Sequence, residues 1–137
     1  MCASPSARAR IVAEGADITV VTNSMMTIKA EKAVRQLQKE GISAELIDLR
    51  TIVPLDTETI IRSVKKTGKL LIVDEGHLSF GITGEIASRI MPDVFYDLDA
   101  PIQRMGTADV PLPFSPALEF PLIPDEKKIA AKIREMV

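Results

Sequence analysis

The sequence predicts an α/β domain built from successive βα units around a largely parallel sheet. From Asp17 onward, short β-branched runs alternate with longer segments of helical period. The 137 residues, 46% hydrophobic and 26% charged, suit one domain with a single packed core. The first strand is Ile18 to Thr22. A helix follows with Met26, Ala30, Ala33, Val34 and Leu37 on one stripe and Lys29, Glu31, Lys32, Arg35 and Lys39 elsewhere, started by Ser24 and stopped by Gly41.

The second strand is Ala44 to Leu49. The next helix runs from about Asp56, whose carboxylate can cap free backbone N–H groups, to Thr67 and Gly68, with Ile60, Ile61 and Val64 facing the core. Lys69 to Asp74 is the most apolar strand, which predicts a central position in a sheet covered on both faces. Ile82, Ile86 and Ile90, four apart, mark a helix ending near Pro92. Pro101 to Met105 reads as a last strand. Asp125 to Val137 reads as a last helix, with Ile129, Ile133 and Met136 inward and Lys127, Lys128, Lys132 and Arg134 outward. Between them, Val110 to Pro124 is rich in proline and in large apolar groups, including Phe114 and Phe120, so it reads as an extended segment that covers its own domain or a second subunit.

Composition excludes several classes of function. Seventeen basic against nineteen acidic side chains give no global charge for nucleic acid, and the absence of Trp with a single Tyr leaves few platforms for unpaired bases. No apolar run approaches a membrane span of roughly 18 residues. One cysteine, Cys2, permits neither an internal disulfide nor a multi-cysteine metal site, which is compatible with a cytosolic or matrix-like compartment. Residues 1–10 read as a linker stub and residues 11–137 as the domain.

The polar run Asp74-Glu75-Gly76-His77-Leu78-Ser79-Phe80-Gly81 lies just past the apolar strand, where open α/β sheets place ligands. Asp74, Glu75 and His77 suit acid–base chemistry or metal ligation; equally, a strand-to-helix turn wants glycine and short polar side chains. Ser79 with His77 lacks the Gly-x-Ser-x-Gly elbow of a hydrolase. Gly76, Gly81 and Gly84 fit neither common phosphate cradle. Arg50 in Asp48-Leu49-Arg50-Thr51-Ile52-Val53-Pro54-Leu55-Asp56 suits an anion or an ion pair that pins the turn. Met25 and Met26 read as core filling.

In order, Gly15 to Thr22, Gly41-Ile42, Ile47 to Asp56, Ser63 to Thr67, Val73 to Gly76, Phe80-Gly81, Gly84 to Ala87, Leu98 to Ile102, Asp109 to Pro113 and Leu118-Glu119 resemble one known domain. It is the carboxyl-terminal domain of the beta subunit of thiamine-diphosphate-dependent 2-oxo acid dehydrogenases. The Asp-Leu-Arg-Thr-x-x-Pro-Leu-Asp segment is the most specific piece, while the glycine turn is shared with transketolases and deoxyxylulose-phosphate synthases.

The resemblance implies a three-layer α/β/α sandwich of the transketolase C-terminal kind, with a five-stranded mixed, mostly parallel sheet and one antiparallel edge strand. It implies that catalytic, cofactor-binding and metal residues lie elsewhere: the preceding pyrimidine-binding domain supplies the glutamate that activates thiamine, and the alpha subunit supplies the diphosphate and magnesium site. The parent reaction would be oxidative decarboxylation of a 2-oxo acid with acyl transfer to a lipoyl group. Implied partners are the alpha subunit, a second beta subunit and the basic subunit-binding domain of the acyltransferase. His77, Phe80, Phe114 and Phe120 are the interface candidates. His77 departs from the bulkier or proline-containing turns of many pyruvate-type subunits, which leaves the substrate open. A transketolase-type enzyme and a free-standing interaction module without catalysis are the alternatives.

Overall fold

The computed structural model describes residues 8–23, 25–107 and 123–137. Its elements, in chain order, are β1 (Arg10–Ala13), β2 (Ile18–Thr22), α1 (Met26–Lys39), β3 (Ala44–Asp48), α2 (Thr57–Thr67), β4 (Leu70–His77), α3 (Ile82–Val94), β5 (Gln103–Thr107) and α4 (Glu126–Met136). The sheet order is β1-β3-β2-β4-β5. All neighbours are parallel except β1, which runs antiparallel to β3 with Arg10 opposite Asp48. This is the mixed sheet with one antiparallel edge strand that the family resemblance implies. The residue pattern alone does not reveal β1, because a four-residue edge strand whose side chains are exposed or half-buried carries no alternation.

Alternation within the buried strands divides the core in two. Ile18, Val20, Leu46, Leu71 and Val73 face α1 and α4, where Leu37, Ala33, Ile129 and Ile133 are buried. Val21, Ile47, Leu70 and Ile72 face α2 and α3, where Ile60, Val64, Ile86 and Ile90 are buried. Each such Val, Leu or Ile side chain taken fully from water stabilises the fold by about 1.5–3 kcal/mol. The central strand is β2, buried along its whole length; the apolar β4 lies beside it, interior but off centre.

Local chemistry sets the helix ends. Asp56 accepts from the backbone N–H of Thr59 at 3.2 Å and from the N–H of Ala9 at 2.9 Å, so one carboxylate caps α2 and fastens the chain entering β1. Asp125 caps α4 through the Lys128 N–H at 2.8 Å. Gly68, at φ 78°, closes α2 in the left-handed conformation that glycine adopts without steric cost. Ser24, expected to start α1, lies outside the described residues, and Met25, before the helix, makes no side-chain cap. α3 passes through Pro92 to Val94, two residues beyond the expected stop. The bond Pro92 cannot donate would go to the carbonyl of exposed Ser88, and the Phe95 N–H to Met91 O bond at 3.0 Å resumes the ladder.

A polar seam crosses the α2 face. The Thr19 hydroxyl lies 2.7 Å from both the Ser63 and Thr67 hydroxyls. Beside it, buried Glu45 on β3 is paired with Lys66 and accepts from the Gly15 N–H at 3.3 Å. These contacts satisfy the polar groups that packing forces inside.

Candidate functional site

The four parallel strands end at one pole of the sheet. α1 leaves β2 on one face and α3 leaves β4 on the other, so the neighbouring carboxyl ends of β2 and β4 form the topological switch point where such sheets bind ligands. The antiparallel course of β1 brings Ala9 and Arg10 to the same pole.

Three of the residues read as turn, Glu75, Gly76 and His77, belong instead to β4. After a register shift His77 pairs with Thr107, and the Thr107 hydroxyl donates to the carbonyl of Glu75, so β5 extends the strand beyond Asp74. The turn proper begins at Leu78, whose N–H donates to Thr107 O at 3.3 Å. Arg104 of β5 donates through Nη1 to Leu78 O at 3.1 Å and to the Thr83 hydroxyl at 3.4 Å. Asp74 turns back on itself and accepts from the Gly76 N–H at 3.1 Å.

At the tip Phe80 holds φ 60° with its ring fully exposed. For a non-glycine residue that conformation costs about 1–2 kcal/mol, and an aromatic ring in water adds no compensation. A cleft of ≈ 510 Å³ lies between Phe80, Glu85 and Arg104. Met25, Ile28, Ile52 and Val53 are also exposed in the segments following β2 and β3, Val53 at 89%, so this pole carries an apolar rim.

A second apolar surface lies along α3. Phe95 and Tyr96 stack edge to face with centroids 5.2 Å apart. Two hollows of ≈ 590 and ≈ 600 Å³ share Ala87, Met91 and Phe95, making one trough down the helix to Pro101, Ile102 and Arg104. Asp99 lines its far end together with Arg104.

The structure therefore places His77 at the end of β4 and Phe80 in the turn that follows it. Phe114 and Phe120 lie outside the described residues. Arg104, read only as a strand residue, and the Phe95–Tyr96 pair were missed in the sequence; the signal available was two adjacent aromatics followed by acids in a chain with five aromatics in all. Among the described residues no three His, Cys, Asp or Glu side chains come together to hold a metal ion. Asp74, Glu75 and His77 alternate along one strand and form no such cluster.

Residues 7–129 match the family described as "Transketolase, C-terminal domain". The chain belongs to that family. Its transketolase C-terminal domain is 45% identical over 132 residues to the pyruvate dehydrogenase E1 component subunit beta of Rickettsia felis, covering 96% of this chain and 40% of that one. It is 41% identical over 133 residues to the 2-oxoisovalerate dehydrogenase subunit beta of Bacillus subtilis, covering 96% of this chain and 41% of that one. Among solved structures, "Split gene transketolase, inactive beta4 tetramer" superimposes with a TM-score of 0.81 at 26% identity, covering 99% of this chain and 44% of that one. The chain spans about 40% of the length of the curated relatives it matches.

Proposed function

We propose that this chain is the assembly domain of the beta subunit of a thiamine-diphosphate-dependent 2-oxo acid dehydrogenase. The observation that carries the reading is the identity of 45% and 41%, across nearly the whole chain, to beta subunits acting on pyruvate and 2-oxoisovalerate by their names. The transketolase structure, at 26%, is more distant, so carbon transfer of that type is the less favoured reading. Two relatives of different substrate at similar identity leave the 2-oxo acid open.

The parent reaction is oxidative decarboxylation with acyl transfer to a lipoyl group, and thiamine diphosphate would supply its carbanion chemistry when bound. We place that cofactor and magnesium outside this domain, as the family resemblance implies. What the domain offers is surface. The rim around Phe80 suits contact with the alpha subunit or a second beta subunit, and the apolar α3 trough, with Asp99 at its end, is the surface we assign to the subunit-binding domain of the acyltransferase. No helix among the described residues is long and apolar enough to cross a membrane, and we place the protein in the bacterial cytoplasm or the mitochondrial matrix.

Reconstitution with the partner subunits tests the reading. Phe80→Ser should weaken assembly tenfold or more, the loss of a buried aromatic anchor. His77→Asn should leave turnover within about tenfold, near 1.4 kcal/mol of barrier. A thousandfold fall in turnover for His77→Asn with assembly intact would require about 4 kcal/mol from one imidazole, the contribution of an acid–base catalyst, and would overturn an assembly-only role.

A further inference from the structure

We propose that Arg104 is a positioning residue that holds the β4–α3 turn in the conformation presenting Phe80 to its partner; the consequence for assembly rests on the reading of Phe80 given above. Leu78, two residues before Phe80, is held on both of its backbone polar groups by β5: Thr107 O takes its N–H and the Arg104 guanidinium takes its carbonyl. The same Nη1 reaches the Thr83 hydroxyl in the first turn of α3, so one cation joins β5, the turn and the helix. A Cβ on Gly106 would come within 2.7 Å of Gly76 O, so β5 lies directly against the strand end that launches the turn. Phe80 occupies a left-handed conformation that it would leave in a slack turn, and its ring makes no packing that holds it there. Two ties hold the turn at its ends: Thr107 fixes the near end through the strand ladder, and Arg104 ties the turn to α3. Arg104 also walls both the Phe80 cleft and the α3 trough.

The test uses Arg104→Met, Arg104→Lys, Phe80→Ser and the Arg104→Met/Phe80→Ser double variant in the full chain, read by amide hydrogen exchange and by the dissociation constant for the partner subunits. Arg104→Met should speed exchange at Leu78 to Gly81 tenfold or more while leaving β2 and β3 unchanged. It should weaken assembly about as much as Phe80→Ser, and the double variant should bind no worse than Phe80→Ser alone, because both act through one ring. Arg104→Lys, which keeps a cationic donor, should recover part of both effects. Should Arg104→Met not fold, Thr83→Val replaces it: it keeps the shape of the side chain and removes the hydroxyl through which Nη1 reaches α3, so exchange in the turn should rise. Unchanged exchange at Leu78 to Gly81 overturns the positioning role, as does an additive double variant. Faster exchange combined with normal assembly of Phe80→Ser would leave the clamp standing and overturn the assembly role of Phe80 instead.

Discussion

Replacing Glu45 by Gln keeps the shape of the side chain and removes its charge. The carboxylate is buried on β3, paired with Lys66 and bonded to the Gly15 N–H. Burial alone would raise its pKa; the hydrogen bonds from Lys66, Ser63 and the Gly15 N–H outweigh burial and hold it below its ordinary 4.5. Hydrogen bonds to a charged group contribute about 1.5–3 kcal/mol and neutral ones about 0.5–1.5. Exchanging the first kind for the second should therefore cost about 1–2 kcal/mol at pH 7. The larger penalty of an orphaned buried charge does not apply, because the Lys66 side chain is 50% exposed and returns to water. The sign of the pH dependence follows. A carboxyl whose folded pKa is depressed contributes fully above its unfolded value and loses that contribution as pH falls through the folded one. The stability gap between the natural protein and Glu45→Gln should thus be full at pH 7 and narrow progressively as pH falls below 4.5. Urea denaturation at both pH values measures it, and at neutral pH the thermal midpoint should fall by about 3–8 °C. A gap that stays constant with pH, or is absent at pH 7, would refute the assignment of Glu45 as a charged tie between β3, α2 and the β1–β2 connection.

Asp56→Ala should cost about 1–2 kcal/mol at pH 7, since it removes the α2 cap and the partner of the Ala9 N–H together. Burial raises the Asp56 pKa, but the hydrogen bonds from Thr59 and Ala9 and the charge of Arg8 leave it lowered, so this gap too should narrow as the solution is acidified; denaturation at pH 7 and pH 3 checks both points. Gly81→Ala would place a Cβ 2.1 Å from the carbonyl of His77. That neighbour is backbone and cannot swing aside, so a loss of about 1–3 kcal/mol is expected, with faster amide exchange in the turn; a variant of natural stability would show that the turn is not closed against β4.

Much of the architecture was legible because its causes are local. The stripe of α1 and the cap Asp56 needed only helical period and short-range hydrogen bonds. The end of β4 did not, because the Glu75-Gly76-His77 run is polar and glycine-containing, and it becomes strand only where Thr107, thirty residues later, supplies partners for its backbone. The helix beyond Pro92 was missed because proline removes one hydrogen bond without removing the packing that buries Val94 on the sheet. Of the interface candidates, His77 was singled out by its place after an apolar strand, and its contact role, like that of Phe80, is a proposal. The α3 trough was not singled out, since Met91 and Phe95 on α3 meet Leu98 to Ile102 only after the chain has turned toward β5.

The sequence by itself determined the alternation of strands and helices, the inward face of each helix and, through ordered segments resembling one family, the membership of the chain in it. These properties depend on neighbours three or four residues apart, or on the order of residues alone. Tertiary structure decided which strand is central, that β1 closes the edge in the antiparallel sense, and that Arg104 reaches across twenty-six residues to the carbonyl of Leu78. Long-range pairing fixes each of these, because a backbone group or a guanidinium in search of a partner answers to distance in space, and only the packed sheet sets that distance.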